Sequence, residues 1–467
     1  MRNVLPRLML LLLITALEVI SILYIFYKMN SYGILLYIAL LVVSIIFIVA
    51  RFTNNHFPSL AWIIIILALP GAGCTIYLLF SNQPKKSSYH LTENTEQHRL
   101  AKIITYYTGI KPKSFSNFKY LSPGEVAFNE VLQELKKAKE YIYIEFYIIA
   151  SGKMWDQIFE VLKEKRKMNV RIIIVYDDFG CLKKLSSKRI KQIKNQGIEL
   201  YRFNMIAPLL SSTLNYRNHR KLIIIDGNVS FLGGMNIADE YVNYKERFGY
   251  WKDAMIFFSG EIVSTLVRQI DILKPYYHFI PTFNESKMQI LLESPYYDIR
   301  ITKLVILKMI NDATSSIYIT TPYFIIDYEI KNALIAASAS GVKVKIVIPK
   351  VPDKKVVYWI TKLNLLEMLK QNTSIEIYCY LPGFIHSKML ICDETLTLIG
   401  SANFDFRSLY TNYEISAVIY DKQATQVIVE DFHKITLESR LLQEEDYKMN
   451  VFKKIIISLM RVFETLL

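Results

Sequence analysis

Hydrophobic and polar positions divide the chain into an apolar beginning and a longer alternating part. Three mainly apolar runs cover residues 8–27, 33–50 and 60–80. Each is long enough, or nearly so, to cross a bilayer of roughly 30 Å. They predict an N-terminal membrane module, residues 1–80, with two to three transmembrane helices; the first run contains Glu18 and is the least typical of the three. The polar, turn-rich residues 81–100 predict a tether after it.

After residue 100, amphipathic segments with helical spacing alternate with short apolar runs typical of buried strands. The order in "AFNEVLQELKKAKE", "YIYIEFYII", "MWDQIFEVLKEKRKM" and "VRIIIVYDD" returns later in "ITKLVILKMINDATS", "SIYITTPYFI", "EIKNALIAASASG" and "VKVKIVIPK". Shorter echoes, such as "GIELYRF" with "SIEIYCY", support the same register. The pattern predicts a duplicated α/β domain with mixed sheets flanked by helices, the halves covering 101–290 and 291–445.

The last segment, residues 446–467, places Lys453, Lys454 and Arg461 among large apolar residues. Its spacing predicts an amphipathic helix, which suits either a core-packing terminal helix or an interfacial membrane helix.

The composition is hydrophobic at 52% and basic, with a formal net charge of +14. For a membrane-anchored chain, this charge favours anionic membrane lipids as partners and makes nucleic acid unexpected, although phosphate attraction alone does not separate the two. The four cysteines lie far apart without zinc-like spacing, so we expect neither a disulfide framework nor a metal site. The positive charges that flank the apolar runs do not decide the membrane orientation.

One motif occurs twice, once in each predicted half. His219 and His386 are each followed at the same offsets, +2, +7, +14 and +17, by a lysine, an aspartate, a glycine and an asparagine. The residues are Lys221, Asp226, Gly233 and Asn236 in the first copy and Lys388, Asp393, Gly400 and Asn403 in the second. A single such pattern arises by chance, but two complete copies in a duplicated domain indicate a function.

The spacing predicts how each copy is built. Residues i and i+2 of a strand face the same side, so each histidine projects together with its lysine. Asp226 and Asp393 fall where the strand must turn, and we interpret them within the catalytic motif as turn-forming and lysine-orienting residues rather than bases. Small residues (Gly233, Gly400 and Ser401) would let backbone N–H groups approach an anion, and Asn236 and Asn403 would add neutral donors.

Two facing copies would surround one phosphate and support phosphoryl-group transfer without a metal or another cofactor. One imidazole would attack phosphorus while the other transfers protons, and the two lysines would stabilise the oxygen charges. A nucleophilic imidazole needs an acceptor on its far nitrogen. Glu414 and Asp253 are the candidates, and we assign Glu414 to His386 because both lie in the same copy.

The duplicated motif resembles that of the phospholipase D superfamily and, more narrowly, of bacterial cardiolipin synthases. "NYRNHRKLIIIDGNVSFLGGMNIADEY", "YWKDAMIFFSG", "TTPYFIID" and "HSKMLICDETLTLIGSANFDFRSLYTNYE" carry the resemblance, which runs from about residue 57 to the end. It implies a pseudo-two-fold pair of domains in which two phosphatidylglycerol molecules exchange a glycerol without a nucleotide or a required metal.

By the same resemblance, His219 is the nucleophile, His386 is the general acid, and the catalytic domain of a multi-pass cell-membrane protein lies at the cytoplasmic face. An oligomer is compatible with this interpretation. Two alternatives stay open: a phospholipase D or phosphatidyltransferase that uses another alcohol, and a non-catalytic basic protein that binds anionic lipid or nucleic acid.

Overall fold

The computed structural model describes residues 31–52, 60–70, 72–74, 98–205, 215–277, 286–371 and 374–443, with a few single positions elsewhere. The chain divides into two compact units. One comprises residues 1–86, 204–216 and 451–467, and the other comprises residues 87–203 and 217–450.

In the first unit, two helices are described, α1 (Ser31–Phe52) and α2 (Leu60–Ala68). The Ser44 hydroxyl donates to the Pro70 carbonyl oxygen at 3.3 Å. Over the described positions, no helix combines the length and the apolar character that crossing a membrane requires. The predicted first span (8–27), most of the predicted tether (81–100) and most of the C-terminal helix (446–467) lie outside the described residues.

The second unit holds the remaining elements. Its α-helices are α3 (Arg99–Thr108), α4 (Gly124–Lys137), α5 (Lys153–Lys167), α6 (Asp178–Cys181), α7 (Ser187–Asn195), α8 (Glu261–Gln269), α9 (Ile301–Asp312), α10 (Tyr328–Ala339), α11 (Lys355–Leu369), α12 (Phe406–Tyr410) and α13 (Lys422–Leu437), with 3-10 turns at Asp239–Val242 and Asp271–Tyr276. Its strands are β1 (Lys113–Ser114), β2 (Ser116–Leu121), β3 (Tyr141–Phe146), β4 (Arg171–Asp177), β5 (Glu199–Phe203), β6 (Lys221–Ile225), β7 (Val229–Gly233), β8 (Tyr250–Lys252), β9 (Met255–Ser259), β10 (Lys287–Glu293), β11 (Ser316–Thr320), β12 (Phe324–Ile325), β13 (Lys343–Pro349), β14 (Glu376–Tyr380), β15 (Gly383–Ile385), β16 (Met389–Cys392), β17 (Leu396–Gly400), β18 (Phe404–Asp405), β19 (Glu414–Ile419) and β20 (Ser439–Leu441).

Two large mixed sheets repeat one strand order. The seven-stranded sheet runs β2-β9-β7-β6-β3-β4-β5. The nine-stranded sheet runs β10-β19-β17-β16-β11-β13-β14 in the corresponding places and adds β1 and β20 at its edges. In both sheets, three consecutive parallel strands adjoin an antiparallel hairpin. The predicted α/β fold with a duplicated domain is therefore confirmed.

The buried strands form because their sequences suit a sheet that is covered on both faces. β6 reads KLIII and is buried at every position, as is β16, which reads MLIC. Runs of large apolar residues without alternation are typical of such strands. One apolar cluster joins side chains of the two sheets, including Leu222 and Ile256 from the first with Met389 and Ile415 from the second. Because the sheets share this core, the copied motifs lie in one compact unit.

Candidate active site

The first histidine lies just before β6, where the chain meets the beginning of β19 from the other half. Asn218 forms a parallel bridge with Tyr413, and the His219 amide donates to the Tyr413 carbonyl oxygen at 2.9 Å. The next residue, Glu414, therefore lies beside the imidazole. Its Oε1 and Oε2 atoms are 2.9 and 3.0 Å from Nδ1 of His219.

The second histidine repeats this arrangement with the halves exchanged. β15 pairs in parallel with β8, so that Ile385 is opposite Lys252. The His386 amide donates to the Lys252 carbonyl oxygen at 2.7 Å. Oδ2 of Asp253, the next residue, is 2.7 Å from Nδ1 of His386. Each imidazole is thus held by a carboxylate from the opposite half.

This crossed arrangement corrects the predicted pairing of Glu414 with His386. In the second sheet, β17 lies between β16, which follows His386, and β19, which begins at Glu414. Two strand spacings put these neighbours roughly 10 Å apart, too far for a hydrogen bond. The carboxylate reaches the imidazole of the other half instead. The expectation that Glu414 and Asp253 both bind histidines agrees with the geometry.

Each lysine folds back on its own histidine. The Lys221 ammonium donates to the His219 carbonyl oxygen at 2.6 Å, and the Lys388 ammonium donates to the His386 carbonyl oxygen. Lys388 Nζ is also 2.8 Å from the Nδ1 atom of His386. Both lysines are almost fully buried, and their i+2 spacing lets each ammonium reach the main chain of its own histidine.

Burial and charge set the protonation of these groups. Burial, assisted by the nearby lysines, lowers the pKa of His219 and lowers the pKa of His386 to about 3. Burial also lowers the pKa of Lys221 well below its usual value and that of Lys388 to about 8. For Asp253 and Glu414, burial works to raise the carboxyl pKa, but the paired histidine and the lysines outweigh it and the pKa is lowered.

Ionised carboxylates beside neutral imidazoles define the tautomer. Nδ1–H of His219 donates to Glu414, which leaves the lone pair on Nε2. At His386, Asp253 favours the same tautomer, while the Lys388 ammonium, 2.8 Å from the same Nδ1, opposes it. The two carboxylates receive different further support. The Ser401 hydroxyl donates to Oε2 of Glu414 at 2.5 Å, and the side-chain Nδ2 of Asn412 donates to Oε1 at 3.2 Å. Asp253 receives the backbone amide of Ala254 at 2.8 Å.

The glycines of the motif allow close packing of strands. A Cβ at Gly233 would collide with the backbone of Ala254 on the neighbouring segment, and one at Gly400 would collide with Ile415. Gly234 is the counterpart of Ser401 in the first half. A Cβ there would lie 2.5 Å from Oδ1 of Asp253. Small residues therefore let the two orienting carboxylates approach, a role distinct from the predicted access of an anion to the backbone.

The motif asparagines brace the loops around the site. Oδ1 of Asn236 accepts the Ile148 amide at 3.1 Å, and its Nδ2 donates to the Tyr241 hydroxyl at 2.7 Å. Nδ2 of Asn403 donates to Oδ2 of Asp405 at 3.0 Å. Each Nδ2 carries a second hydrogen, so the predicted contact with phosphate rests on that hydrogen alone.

The motif aspartates lie at the other end of the strands. Asp226 accepts the backbone amides of residues 139–141 at 2.8–2.9 Å. Asp393 accepts the amides of residues 314–316 at 2.7–3.1 Å, together with two hydroxyls from the same segment. The expected turn role agrees with the positive φ of both residues. The expected orientation of the lysines was wrong, because the carboxylates are used by the adjoining strand.

A polar network beside His219 was not predicted. Asp177, at the end of β4, accepts the Asn218 amide at 2.9 Å, and the Asn218 side chain donates to Glu145 at 2.6 Å. Arg220 occupies the place that Ser387 has in the other copy, with Nη1 3.8 Å from Glu145. The available signal was the polar ends of the apolar strands, "EF" in β3 and "DD" at the end of β4.

Comparison with known proteins identifies the family of the chain. The family described as "Cardiolipin synthase, PLD-like domain" matches residues 131–257 and 306–436. A cardiolipin synthase of Halalkalibacterium halodurans is 33% identical over 84% of this chain and 86% of its own length. One of a Geobacillus species is 30% identical over 93% and 94%. The chain belongs to the cardiolipin synthase family.

A solved structure of another protein has a similar fold. A phosphatidylserine synthase of Haemophilus influenzae aligns with a TM-score of 0.63 and 14% identity, covering 76% of this chain and 97% of that protein. At this identity the likeness concerns the fold only. As a member of the cardiolipin synthase family, the chain is a phosphatidyltransferase-type enzyme of the phospholipase D superfamily, and its substrates are phospholipids.

Proposed function

We propose that the protein is a cardiolipin synthase that transfers a phosphatidyl group from one phosphatidylglycerol to a second, producing cardiolipin and glycerol. The observation that carries the proposal is the crossed pair of buried histidine–carboxylate contacts, 2.9 Å at His219 and 2.7 Å at His386. The arrangement supplies two imidazoles in the same tautomer and two buried ammonium groups, which suits an anionic phosphodiester.

In the first step, Nε2 of His219 bonds to phosphorus while the bond from phosphorus to the glycerol oxygen breaks. That oxygen takes a proton from Nε2 of His386 as it leaves. In the second step, a hydroxyl of the second phosphatidylglycerol gives its proton to His386, and its oxygen bonds to phosphorus as the phosphorus–nitrogen bond breaks. His219 is regenerated, and cardiolipin is the product. The assignment of His219 as nucleophile rests on the family resemblance.

The general acid must carry a proton when the glycerol leaves. Burial and the Lys388 ammonium lower the pKa of His386. A bound phosphodiester brings a negative charge, which offsets the effect of the ammonium and raises the pKa of a neighbouring imidazole. Asp253 stabilises the imidazolium that results. Substrate binding and protonation of His386 are therefore linked.

Charge on the phosphate oxygens increases in the transition state. Lys221 and Lys388 are the nearest cations, and their burial makes each charge more effective than it would be in water. The motif donors Asn236, Asn403 and Ser401 complete the proposed phosphate site, with no metal or other cofactor. Asp226 and Asp393 would support it indirectly through the turns.

The proposal includes a multi-pass membrane protein in which residues 8–27, 33–50 and 60–80 supply two to three spans and the catalytic unit lies at the cytoplasmic face. The apolar character of these runs and the family membership support membrane association. The proposed arrangement of the catalytic unit is a pseudo-two-fold pair of the halves 101–290 and 291–445.

Product analysis with purified full-length protein tests the function. Labelled phosphatidylglycerol should yield cardiolipin and glycerol in a 1:1 ratio, and His219→Ala and His386→Ala should both abolish the reaction. Water, ethanolamine and serine offered as acceptors distinguish the alternative phospholipase or phosphatidyltransferase. A wild-type preparation that folds but forms another product, or none, would overturn the proposal.

A further inference from the structure

A surface beside the His219 end of the site combines exposed apolar and basic side chains. Phe179 and Leu182, in and directly after α6, are 57% and 39% exposed. Residues 179–198 contain no aspartate or glutamate and carry six cations: Lys183, Lys184, Lys188, Arg189, Lys191 and Lys194. We refer to Phe179, Leu182, Lys183, Lys188, Lys191 and Lys194 as the basic rim.

Among the described residues, two of the six cations have an acidic partner. Lys184 pairs with Glu240 at 3.5 Å, and Arg189 pairs with Asp156 at 2.6 Å. Across the described part of the chain, no ion pair involves the lysines of the basic rim, which are all exposed. These charges are therefore available to an external anion.

The lysines of α7 form one row on its exposed face. Lys188, Lys191 and Lys194 follow one another at intervals of three, while Ile193 faces the core. Residues three apart on a helix are neighbours, and like charges at such spacing repel. The repulsion opposes helix formation, and an anionic surface would relieve it.

The basic rim is physically continuous with the site. The Phe179 amide donates to Oδ1 of Asp177 at 2.9 Å, and Oδ2 of the same carboxylate accepts the Asn218 amide at 2.9 Å. Asn218 directly precedes His219 in the chain. The Arg217 guanidinium also lies over the Phe179 ring, 5.6 Å from its centroid. A surface that binds the rim is therefore brought close to the nucleophile.

We propose that the basic rim docks the catalytic unit on an anionic phospholipid bilayer, with Phe179 and Leu182 entering the interface and the lysines contacting headgroups. The inference rests on the proposed function, in which the substrate is itself an anionic bilayer lipid. Exposed apolar groups next to unpaired lysines suit a membrane interface, which accepts both. Nucleic acid would use the lysines but would give Leu182 no base-stacking partner.

The test measures the same reaction with the lipid substrate in bilayer vesicles and in detergent micelles. The full chain is assayed with phosphatidylglycerol diluted into phosphatidylcholine vesicles and with short-chain phosphatidylglycerol in neutral detergent micelles. The charge variant replaces Lys183, Lys188, Lys191 and Lys194 with Gln. The apolar variant is Leu182→Ser, which leaves the contact of Phe179 with Arg217 in place. The matched control replaces four exposed lysines elsewhere, Lys136, Lys139, Lys370 and Lys434, with Gln.

In vesicles, the charge variant should raise the apparent KM about tenfold and lose most of the salt dependence that the wild type shows. Leu182→Ser should raise it by a smaller factor. In micelles both variants should match the wild type, and the control should match it in both forms. A probe attached at Leu182→Cys should report an apolar environment in vesicles, unlike one at the 86% exposed Leu437→Cys.

Vesicle kinetics equal to the wild type, or an equal loss in micelles and vesicles, would overturn the docking proposal. The proposal would also be overturned if the charge variant matched the wild type on lipid vesicles and the same lysines bound RNA. Failure of the proposed function has a different signature, since the wild type would then form no cardiolipin even in micelles. Equal thermal unfolding midpoints verify that the variants fold.

Discussion

At the scale of single residues, the site depends on two contacts from a ring nitrogen to a buried carboxylate. Glu414 and Asp253 are both fully buried, and each is ionised beside a neutral imidazole. Removing the charge of one carboxylate leaves the shape of the site almost unchanged but no longer favours the Nδ1–H tautomer. The effect should therefore be confined to one histidine, the one in the opposite half.

Glu414→Gln is expected to lower kcat about 10²–10⁴-fold, because the His219 tautomer is no longer fixed. Nitrogen NMR of labelled histidine should show changes at His219 and none at His386, and Asp253→Asn should give the reverse. Response of His386 to Glu414→Gln would contradict the crossed arrangement.

The buried lysine next to His386 predicts an unusual alkaline limit of activity. Burial lowers the pKa of Lys388 from 10.5 to about 8. The ammonium is present below this pH and is lost as the pH rises through it, so Lys388 alone places a decline of kcat/KM near pH 8. Burial also lowers the pKa of Lys221 well below its usual value, which extends the decline to lower pH. Since a bound phosphodiester stabilises the ammonium, the decline in kcat should occur at higher pH. A kcat/KM profile that stays flat to pH 10 would exclude this role of Lys388.

At the scale of secondary-structure elements, hairpins and turns hold the motif in register. Asp226 and Asp393 each bind three successive backbone amides where the chain enters the strand next to their own. These contacts connect β6 with the beginning of β3 and β16 with the beginning of β11. The aspartates therefore stabilise the scaffold at the end of the strands remote from the histidines.

Asp393→Ala is predicted to lower the free energy of unfolding by about 2 kcal/mol, because several amides and hydroxyls lose a charged acceptor. Denaturant titration measures this loss. The kcat of the folded fraction should stay within about a factor of three of the wild type. Loss of kcat comparable to that of His386→Ala, without loss of stability, would make Asp393 catalytic in its own right.

The residue that directly follows the motif glycine differs between the two halves. Ser401 carries a side chain that donates to Glu414, whereas Gly234 leaves room for Asp253. Gly234→Ala should displace Asp253 and lower kcat roughly 100-fold, while Ser401→Ala removes one hydrogen bond and should lower kcat roughly tenfold. Steady-state kinetics of the two variants compare these effects, and equal activity of Gly234→Ala and wild type would contradict the packing argument.

The elements and the motif could be predicted from the sequence, but the pairing within the site could not. Apolar runs such as "KLIII" indicate buried strands, and the offset from His219 to Lys221 places both on one side. The partner of each histidine depends on the position of β17 between β16 and β19 and on two bridges between the halves. Nothing local to Glu414 indicates which imidazole it meets, and the link from Asp177 to Asn218 also requires the three-dimensional strand order.

At the scale of the whole catalytic unit, the two halves complete one another within a single chain. The bridges that align the histidines, Asn218 with Tyr413 and Ile385 with Lys252, both join opposite halves. Each histidine lies one residue beyond its bridge, and so does the carboxylate that holds it. A chain lacking one histidine therefore has an intact frame but an incomplete site.

A mixture of the His219→Ala and His386→Ala chains is predicted to remain inactive, because each site takes both histidines from one chain. Co-expression of the two variants followed by the cardiolipin assay measures this. Recovery of about a quarter or more of the wild-type rate would indicate that halves exchange between chains, as in domain-swapped oligomers.

The crossed carboxylates also constrain how this enzyme can change over evolutionary time. A substitution at Glu414 affects the histidine encoded almost two hundred residues earlier, whereas the histidine of its own repeat is insensitive to it. Asp253 and Glu414 differ by one methylene, so each repeat must supply an acid whose reach fits the other. Substitutions in the two repeats are therefore coupled, and we expect a chimera that takes one repeat from a relative to function only when the acid and the imidazole on both sides of the junction are compatible.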